Sequence, residues 1–422
     1  MIYLSLIIVL STAIGLLLMK KWKSPLFVYN LLWALILYLY SLRLFGLYEV
    51  SEYTKLVILL GTLFFNFGYL LMLFNNKMYV EETVESYTNT FFIKCLAIYT
   101  FLFSLPFNLQ RIQFMRRNNI TPYVIKFYRI EQMVDDENGL MQIFERPFEV
   151  ILIGISAYYL ITNRKQTFII MAGIYFSIIR YITLGSRFAI FIYVVAVVSM
   201  IINNDSVRAT IGKYRKVIIV GLFVIVIAFF SFVSSYNEIY RYLVGCIPML
   251  DKVVNLNDGT YDYGHTYGFY VTIAIWRPIW AILRTLGFPK NLMSLTLAQN
   301  AFSYNQDIQN IYQSIAPGIQ YNAFVTYFSA FFIDFSYFGV VVLSFLYGVL
   351  LGHVERMQKL AGNLYYSLLL FICYYYVFTS MVRLQFTDTT FGLAFIYIML
   401  LKGQLGGKKV HRDVRISIGK FR

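Results

Sequence analysis

The sequence predicts an all-α polytopic integral membrane protein, and three observations lead to that fold class. Hydrophobic residues make up 59% of the 422 residues and charged residues only 14%, whereas soluble domains are about half apolar and a quarter charged. Apolar runs of about 20 residues, the length that crosses a bilayer, recur along the chain. Lysine and arginine concentrate in alternate connections between these runs. We therefore expect a single transmembrane domain that comprises residues 1–422.

Eleven apolar runs are predicted to cross the membrane as helices. They lie near residues 2–19, 25–41, 56–75, 91–110, 147–162, 167–184, 187–202, 217–234, 335–352, 364–380 and 389–401. The first run lacks a preceding basic segment and a small-residue cleavage site, so it is not a cleavable signal peptide. Its positive charges follow it, which predicts that the amino terminus faces outward.

The connections between the runs give the predicted topology. With the amino terminus outside, nineteen lysines and arginines lie in the inner connections and in a basic cytoplasmic tail over residues 402–422. The tail suits anionic lipid head groups better than nucleic acid. Two long loops face outward, approximately residues 111–146 and 235–321. The first loop contains more basic residues than an outer loop is expected to have. Placing it inside would require one span to be added or removed elsewhere.

The two sides differ in their choice of cation. The predicted outer side has twelve arginines and four lysines, while the inner side has seven arginines and twelve lysines. Topology alone does not distinguish the two residues. A guanidinium binds phosphate oxygens through two parallel hydrogen bonds, which a lysine ammonium cannot do. The bias therefore favours a phosphate group as a ligand of the outer face.

No motif for a metal, nucleotide or redox cofactor occurs in the sequence, so we expect no cofactor. The three cysteines are Cys95, Cys246 and Cys373, and two of them fall inside predicted spans, which leaves no disulfide framework. Walker-type glycine loops and C-x-x-C or H-E-x-x-H motifs are absent, and the three histidines lie far apart. ATP hydrolysis and a histidine-rich metal site are thereby excluded.

Residues 180–187 form the first candidate phosphate site. Gly185 is expected to end one span, so that Arg180 and Arg187 flank a tight outer turn and Ser186 caps the following span. Two arginines at such a turn can bind the phosphate of a lipid carrier. An interfacial pair that reaches toward lipid head groups would have the same spacing, and the sequence does not separate the two roles.

Residues 276–289 form the second candidate phosphate site. Pro278 is expected at the first position of a short helix that ends at Gly287, which puts Arg277 at the helix amino terminus and Arg284 two turns later. The amino terminus of a helix attracts anions. With tryptophans on its apolar side, the helix would lie on the membrane. It then either gathers a lipid-borne phosphate or only attaches the loop to the bilayer.

The long outer loop also contains candidate residues for sugar chemistry. Its tyrosines and acidic residues are interspersed with glycine, and flat aromatic rings stack on the C–H faces of sugars. A histidine or carboxylate beside them could remove a hydroxyl proton, although a single loop histidine is more often a surface residue. The candidate sugar-binding residues are Asp262, Tyr263, Tyr267 and Tyr270; Glu238 and His265 are candidate bases, and Arg241 is a further candidate phosphate ligand.

The chain resembles the Wzy-type O-antigen polymerases, bacterial membrane proteins that polymerise oligosaccharide repeat units. One segment on which the resemblance rests is the turn Gly185-Ser186-Arg187 between two central spans. The other is the exit from the long loop, residues 321–339, which contains Asp334 and is followed by the glycine-bearing segment 346–352. Together they cover roughly residues 175–355, while the first 170 residues match only as a hydropathy pattern.

This resemblance implies a GT-C-like fold and an inner-membrane enzyme that is active on the periplasmic face. Its substrates would be undecaprenyl-diphosphate-linked oligosaccharides, with membrane lipids, a chain-length regulator and a flippase of the same pathway as further partners. Such an enzyme transfers a growing glycan to the terminal sugar of another repeat unit. The arginines would bind the diphosphate, and Asp334 is an alternative to His265 as the base. Because diphosphate is a good leaving group, positioning and charge stabilisation suffice without a cofactor.

Two other classes of function fit a basic polytopic protein. A lipid-linked oligosaccharide flippase, or another transporter, would place polar residues near the bilayer midplane, and the sequence shows few ionised residues in the middle of its spans. A membrane acyltransferase would need a histidine in or beside a span, and only His353 meets that requirement. We therefore expect a polymerase, with a flippase as the alternative.

Overall fold

The computed structural model describes residues 1–74, 88–122, 139–162, 166–185, 188–203, 236–255, 264–287, 296–321 and 324–406. The predicted span 217–234 lies outside these residues, as do Arg187, Asp262, Tyr263 and most of the basic tail. The side chains of Glu238 and Arg284 are likewise not described.

The described residues form helices and one small β-hairpin. The helices are α1 (Ile2–Leu18), α2 (Pro25–Ser41), α3 (Glu52–Phe74), α4 (Thr90–Arg117), α5 (Gly139–Phe144), α6 (Arg146–Ile161), α7 (Thr167–Leu184), α8 (Phe188–Asn203), α9 (Tyr236–Val244), α10 (Cys246–Val254), α11 (Ile273–Thr285), α12 (Thr296–Asn310), α13 (Phe328–Ala361), α14 (Leu364–Phe378), α15 (Thr389–Leu400) and α16 (Lys402–Leu405). The antiparallel hairpin pairs β1 (Gln313–Ala316) with β2 (Ile319–Tyr321).

The apolar helices confirm a membrane-embedded helical protein. Three of the described helices, α3, α4 and α13, are long and apolar enough to cross a membrane. Shorter apolar helices accompany them, and large apolar side chains such as Ile7, Leu18 and Phe91 are exposed on the outside of the bundle. Water would disfavour such a surface, whereas lipid tails match it. Helices occupy ten of the eleven predicted runs, but the number that cross the membrane stays a prediction.

Helix α4 differs from the prediction at its carboxyl end. The sequence predicted a loop from residue 111, yet the helix continues to Arg117. Arg111 is buried, with its guanidinium 4.1 Å from the ring centroid of Phe107 and its Nη1 3.4 Å from the carbonyl oxygen of Thr183. A cation over an aromatic face is stabilised by the ring quadrupole. The arginine therefore packs inside the bundle, where the charge alone had indicated a solvated loop.

Helices α3 and α13 cross in backbone contact at the centre of the bundle. A Cβ atom added at Gly68 would lie 2.2 Å from the carbonyl oxygen of Phe345, and one added at Gly348 would lie 2.2 Å from that of Phe65. Only glycine fits at this distance. Small residues permit such close approach of membrane helices, whose association depends on packing.

The chain reverses direction within α13. Phe335 and Ser336 have non-helical backbone angles, and Ser336 has a φ of 55°. The rings of Tyr327 and Tyr347 lie 5.5 Å apart between centroids, although a continuous helix would separate residues twenty positions apart by about 30 Å. Residues 328–334 are therefore a half-helix that runs back alongside residues 337–361.

The connection between α14 and α15 lies inside the bundle. Residues 325 and 327 donate backbone hydrogen bonds of 2.9 Å to the carbonyl oxygens of Val382 and Ser380. The indole of Trp33, in the middle of α2, donates to the Ser380 hydroxyl at 3.1 Å. Helix α15 has twelve residues, or about 18 Å, which is less than a hydrocarbon core. Its amino terminus is thus embedded among the neighbouring helices of the bundle, which satisfy part of the irregular backbone before it.

The long loop forms short helices and packs on the ends of the spans. Asp251 of α10 accepts hydrogen bonds from the Ser51 amide at 2.9 Å and from the hydroxyls of Ser51 and Thr54 at 2.7 Å. These contacts satisfy free donors at the start of α3. The β-hairpin is anchored by the Tyr48 amide, which donates to the Ile315 carbonyl at 3.0 Å. The described parts of the loop therefore pack on the helices rather than forming a solvated connection.

Candidate functional site

Asp334, at the end of the half-helix, holds a turn of the long loop. Its carboxylate accepts hydrogen bonds from the Thr266 hydroxyl and from the backbone amides of Gly268 at 2.8 Å, Tyr270 at 3.1 Å and Val271 at 2.8 Å. The side chain is fully buried. With four donors around it, the carboxylate is engaged in structure. Its geometry is that of a positioning residue and does not suit the alternative role of general base.

The turn brings several predicted site residues together. Tyr267 has a φ of 48° and Gly268 a φ of 96°, and this tight path lets the Tyr267 amide donate to the Asp334 carbonyl at 3.2 Å. Nδ1 of His265 lies 3.2 Å from the Ile333 carbonyl oxygen. The half-buried imidazole and the exposed ring of Tyr267 are neighbours, 6.3 Å apart between centroids. We call residues 264–271 together with Asp334 the clasp.

Tyr270 does not fit its predicted role as a sugar-stacking residue. Only 4% of its surface is exposed, and its ring packs edge-on against Tyr304 at 6.4 Å. The turn over Asp334 directs this side chain inward because its own amide is tied to the carboxylate. Tyr267, which is 63% exposed, keeps a face for a ligand.

Arg277 lies within α11 and not at its amino terminus, which corrects the prediction. The helix begins at Ile273, and Pro278 is inside it. The Trp276 indole donates to the Phe269 carbonyl at 2.6 Å, and the Trp276 amide bonds the Thr272 carbonyl at 3.3 Å. Because of these contacts the helix begins before Pro278, which the sequence had predicted to be its first residue.

Helix α11 packs against the embedded amino terminus of α15. A Cβ atom at Gly392 would lie 2.4 Å from Cβ of Ala274, so the two helices are in close contact one turn before Arg277. The Arg277 guanidinium lies 5.3 Å from the Phe302 ring centroid. Burial lowers the pKa of Arg277, and the charge of Asp388 acts in the opposite direction. Arg277 therefore lies within the electrostatic influence of Asp388, on the helix that packs against α15.

Arg383 lies beside Asp388 and was not among the predicted site residues. Its Nη2 lies 2.6 Å from Oδ2 of Asp388. Oδ1 of Asp388 accepts the amides of Thr390 at 2.9 Å and Phe391 at 3.3 Å, which caps α15. Burial raises the pKa of Tyr270, and Arg383 acts in the opposite direction. Tyr270, whose amide bonds Asp334, thus lies within the electrostatic influence of Arg383. We call Arg277 and Arg383 the arginine pair.

Arg180 belongs to a separate ionic cluster. Its Nε contacts the buried carboxylate of Glu149, which also lies 3.4 Å from Nη1 of Arg146. Nε of Arg146 lies 3.3 Å from Glu145. Burial raises the pKa of Glu145, and the Glu149 carboxylate raises it further. Because Glu149 engages both arginines, the cluster has the features of a structural ion network more than of a free anion site.

Arg241 is the remaining predicted site residue whose side chain the structure describes. Arg241 is half-buried on α9, which packs against α2 and α10. Gly185 ends α7 with a φ of 61°, as the sequence predicted. Among the described residues, no three histidine, cysteine or acidic side chains are grouped to hold a metal ion.

Comparison of the chain with protein-family models, with curated proteins and with solved structures finds no match. Functional inference therefore rests on the chemistry of the clasp and the arginine pair. Arg383 pairs with Asp388 at the amino terminus of α15, and Arg277 lies on the helix that packs there. The neighbouring clasp presents a histidine and an exposed tyrosine. This arrangement can bind a phosphorylated ligand and hold a hydroxylated group beside it.

Proposed function

We propose that the protein is a membrane glycosyltransferase that joins undecaprenyl-diphosphate-linked oligosaccharide repeat units. The product would be O-antigen or a related surface polysaccharide, made on the periplasmic face of the bacterial inner membrane. The observation that supports this most is the ion pair of Arg383 with Asp388 at the start of α15, against which the helix that contains Arg277 packs.

The arginine pair suits the diphosphate of a lipid carrier. Guanidinium groups bind phosphate oxygens bidentately, and the dipole of α15 has its positive end beside Arg383. Helix α11 exposes Ile275 and Ile279 beside the pair. A polyprenyl chain can lie along such an apolar surface while its head group enters the protein.

The proposed reaction exchanges one bond at the anomeric carbon of the donor sugar. A hydroxyl oxygen of the acceptor sugar forms a bond to this carbon as the bond to the diphosphate oxygen breaks. The diphosphate leaves with the electron pair, and Arg277 and Arg383 stabilise its charge. His265 takes the hydroxyl proton, and Tyr267 stacks on a sugar. Arg187, Arg241, Arg284, Glu238, Asp262 and Tyr263 stay predictions.

A flippase for the same lipid-linked glycan is the second candidate. The half-helix of residues 328–334 and the embedded start of α15 are features that transporters use at their binding sites. A flippase would need the arginine pair for binding but would release its substrate chemically unchanged. The two proposals therefore differ in the product and not in the ligand.

The test replaces each arginine of the pair by lysine in purified protein reconstituted into liposomes. Arg277→Lys and Arg383→Lys keep the charge and lose the bidentate hydrogen bonds. We expect single-turnover polymerisation of synthetic lipid-linked repeat units to slow by about 10-fold to 150-fold, the worth of one charge-assisted bond formed in the transition state.

Arg43→Lys is the matched control. Arg43 pairs with Glu49 at 2.7 Å on a half-exposed surface, and such pairs contribute little. Its rate should equal that of the parent protein. Lysine variants of the pair that are as fast as the parent would remove the arginine pair from the diphosphate site, and unchanged substrate on the far side of the membrane would select the flippase.

A further inference from the structure

Two buried side chains next to the arginine pair have polar atoms without a hydrogen-bond partner among the described residues. They are Oε1 of Gln385 and Oγ1 of Thr389. Gln385 is 2% exposed and Thr389 is 8% exposed. Nε of Arg383 is also buried without a hydrogen-bond partner in the described part of the chain. All three atoms belong to one segment of seven residues, 383–389.

This segment is a compact turn around Asp388. The Thr387 amide donates to the Leu384 carbonyl at 3.0 Å, and the Asp388 amide donates to the Gln385 carbonyl at 3.2 Å. Thr389 is the first residue of α15. Gln385 and Thr389 therefore flank the carboxylate that holds Arg383, and the turn packs against α11, which contains Arg277.

Two other buried hydroxyls of this region are satisfied within the chain. Oγ1 of Thr387 donates to the Leu384 carbonyl at 2.7 Å, and Oγ1 of Thr379 donates to the Tyr375 carbonyl at 2.7 Å. Buried polar groups are almost always paired, so an exception indicates a partner from outside the chain or a functional use.

The chemistry of the unpaired atoms restricts that partner. An amide oxygen can only accept a hydrogen bond, so Oε1 of Gln385 needs an O–H or N–H donor. An ionised phosphate offers acceptors only and cannot satisfy it. The Thr389 hydroxyl can donate or accept. A neutral group with several hydroxyls fits both atoms, and it would sit directly beside a phosphate bound by Arg383.

We infer that Gln385 and Thr389 form the subsite for the sugar attached directly to the lipid diphosphate. The inference rests on the proposed function, because the arginine pair must first bind the diphosphate. One hydroxyl or N-acetyl N–H of that sugar donates to Oε1 of Gln385, and Thr389 bonds a second polar atom of the same ring. These two residues then distinguish a sugar-bearing carrier from the bare carrier.

The first test measures stability without ligand, because a binding role and a structural role predict opposite signs. Gln385→Leu and Thr389→Val remove unpaired polar atoms, which costs no internal hydrogen bond. We expect the thermal unfolding midpoint of each variant in detergent to equal or exceed that of the parent protein. Thr387→Val is the matched control from the same turn; it loses a formed hydrogen bond, and its midpoint should fall.

The second test measures binding of two probes to the full chain in nanodiscs. The probes are undecaprenyl diphosphate and undecaprenyl diphospho-N-acetylglucosamine. The parent protein should bind the sugar-bearing lipid more tightly, by about tenfold for each hydrogen bond to the sugar. Gln385→Leu and Thr389→Val should lose this preference and keep the parent's affinity for undecaprenyl diphosphate. Arg383→Ala should weaken binding of both lipids.

The outcomes separate this inference from the proposed function. If the parent protein bound both lipids equally, or if the variants kept the preference for the sugar, the subsite would be refuted while the diphosphate site stood. Stabilised variants with unchanged preference would indicate that the two atoms bind a buried water only. If neither lipid bound to the parent protein, the proposed function would fail and this inference with it.

Discussion

At the scale of single residues, Asp334 and His265 have different surroundings, although the sequence had predicted either of them as the general base. Asp334 is surrounded by four donors from the turn above it. His265 is half-buried at the edge of that turn and bonds only the Ile333 carbonyl oxygen among the described contacts. Asp334 therefore holds the clasp, and His265 stays the residue that we propose for proton transfer.

Substitution of the two residues should affect different properties. In Asp334→Asn the amide group faces backbone donors, and each donor that loses its acceptor costs about 1–3 kcal/mol. The thermal unfolding midpoint in detergent should fall. His265→Ala should leave the midpoint unchanged and slow single-turnover polymerisation by about 10² to 10⁴, the worth of general-base assistance.

The exposed Glu52 provides the control for Asp334. It pairs with Lys55 at 2.6 Å with 68% of its side chain exposed, so Glu52→Gln should have little effect on stability. The assignment would be reversed if Asp334→Asn kept its stability and lost its activity while His265→Ala kept both.

The sequence predicted Arg277 but not Arg383 as a member of the proposed site, and the reason is physical. Arg277 lay in a segment with helix signals and tryptophans, where a phosphate site could be argued from residues alone. Arg383 was one cation in a short connection between two predicted spans. In such a connection, the sequence does not distinguish an arginine that sets the topology from an arginine that binds a ligand. Only the fold brings Arg277 near the Arg383–Asp388 pair, because that needs the α11–α15 contact at Gly392.

At the scale of elements, the broken helix α13 organises the site. Its half-helix, residues 328–334, was predicted as part of the loop exit. Seven residues are too short to give a hydropathy signal for a span. The following span was predicted from residue 335, close to the break that the structure has at Phe335 and Ser336. The sequence thus located the long segment, while the short one depends on contacts with Tyr347 and Ser380.

The half-helix of residues 328–334 and the rest of α13 are supported by the crossing of α3 and α13. Gly348→Ala would put a methyl group 2.2 Å from the Phe65 carbonyl oxygen, so the helices must separate. We expect a loss of about 1–3 kcal/mol, typical of overpacking, seen as a lower unfolding midpoint by circular dichroism in detergent. Gly15→Ala is the control, because a Cβ atom there meets nothing within 4 Å. Equal midpoints for the two variants would argue against the crossing.

At the scale of the whole molecule, the two ends of the bundle differ in chemistry. At one end, Glu355 bonds Ser24 at 2.6 Å and contacts Tyr69 and Lys359, which ties α2, α3 and α13 together near several lysines. The clasp and the arginine pair lie toward the opposite end of the spans. Charge asymmetry predicted the end near Glu355 as cytoplasmic.

Single-cysteine labelling in intact cells tests this orientation. Tyr312, at the start of the hairpin, is 63% exposed, and a Cβ atom at Gly403 has open space around it. In a Cys95→Ser background, which removes the one exposed cysteine of the three, we expect a membrane-impermeant reagent to label Tyr312→Cys and not Gly403→Cys. The reverse pattern would invert the topology and place the site on the cytoplasmic side.

The glycan ladder on the cell surface tests the proposed polymerase most directly. The gene is deleted and then restored with the parent sequence or with Arg383→Ala, each at normal membrane abundance. We expect deletion to leave chains with a single repeat unit, the parent to restore the long chains, and Arg383→Ala to leave single units, because the diphosphate is no longer stabilised as it leaves. Loss of the single unit as well would contradict polymerisation and indicate a flippase, and an unchanged ladder after deletion would contradict both.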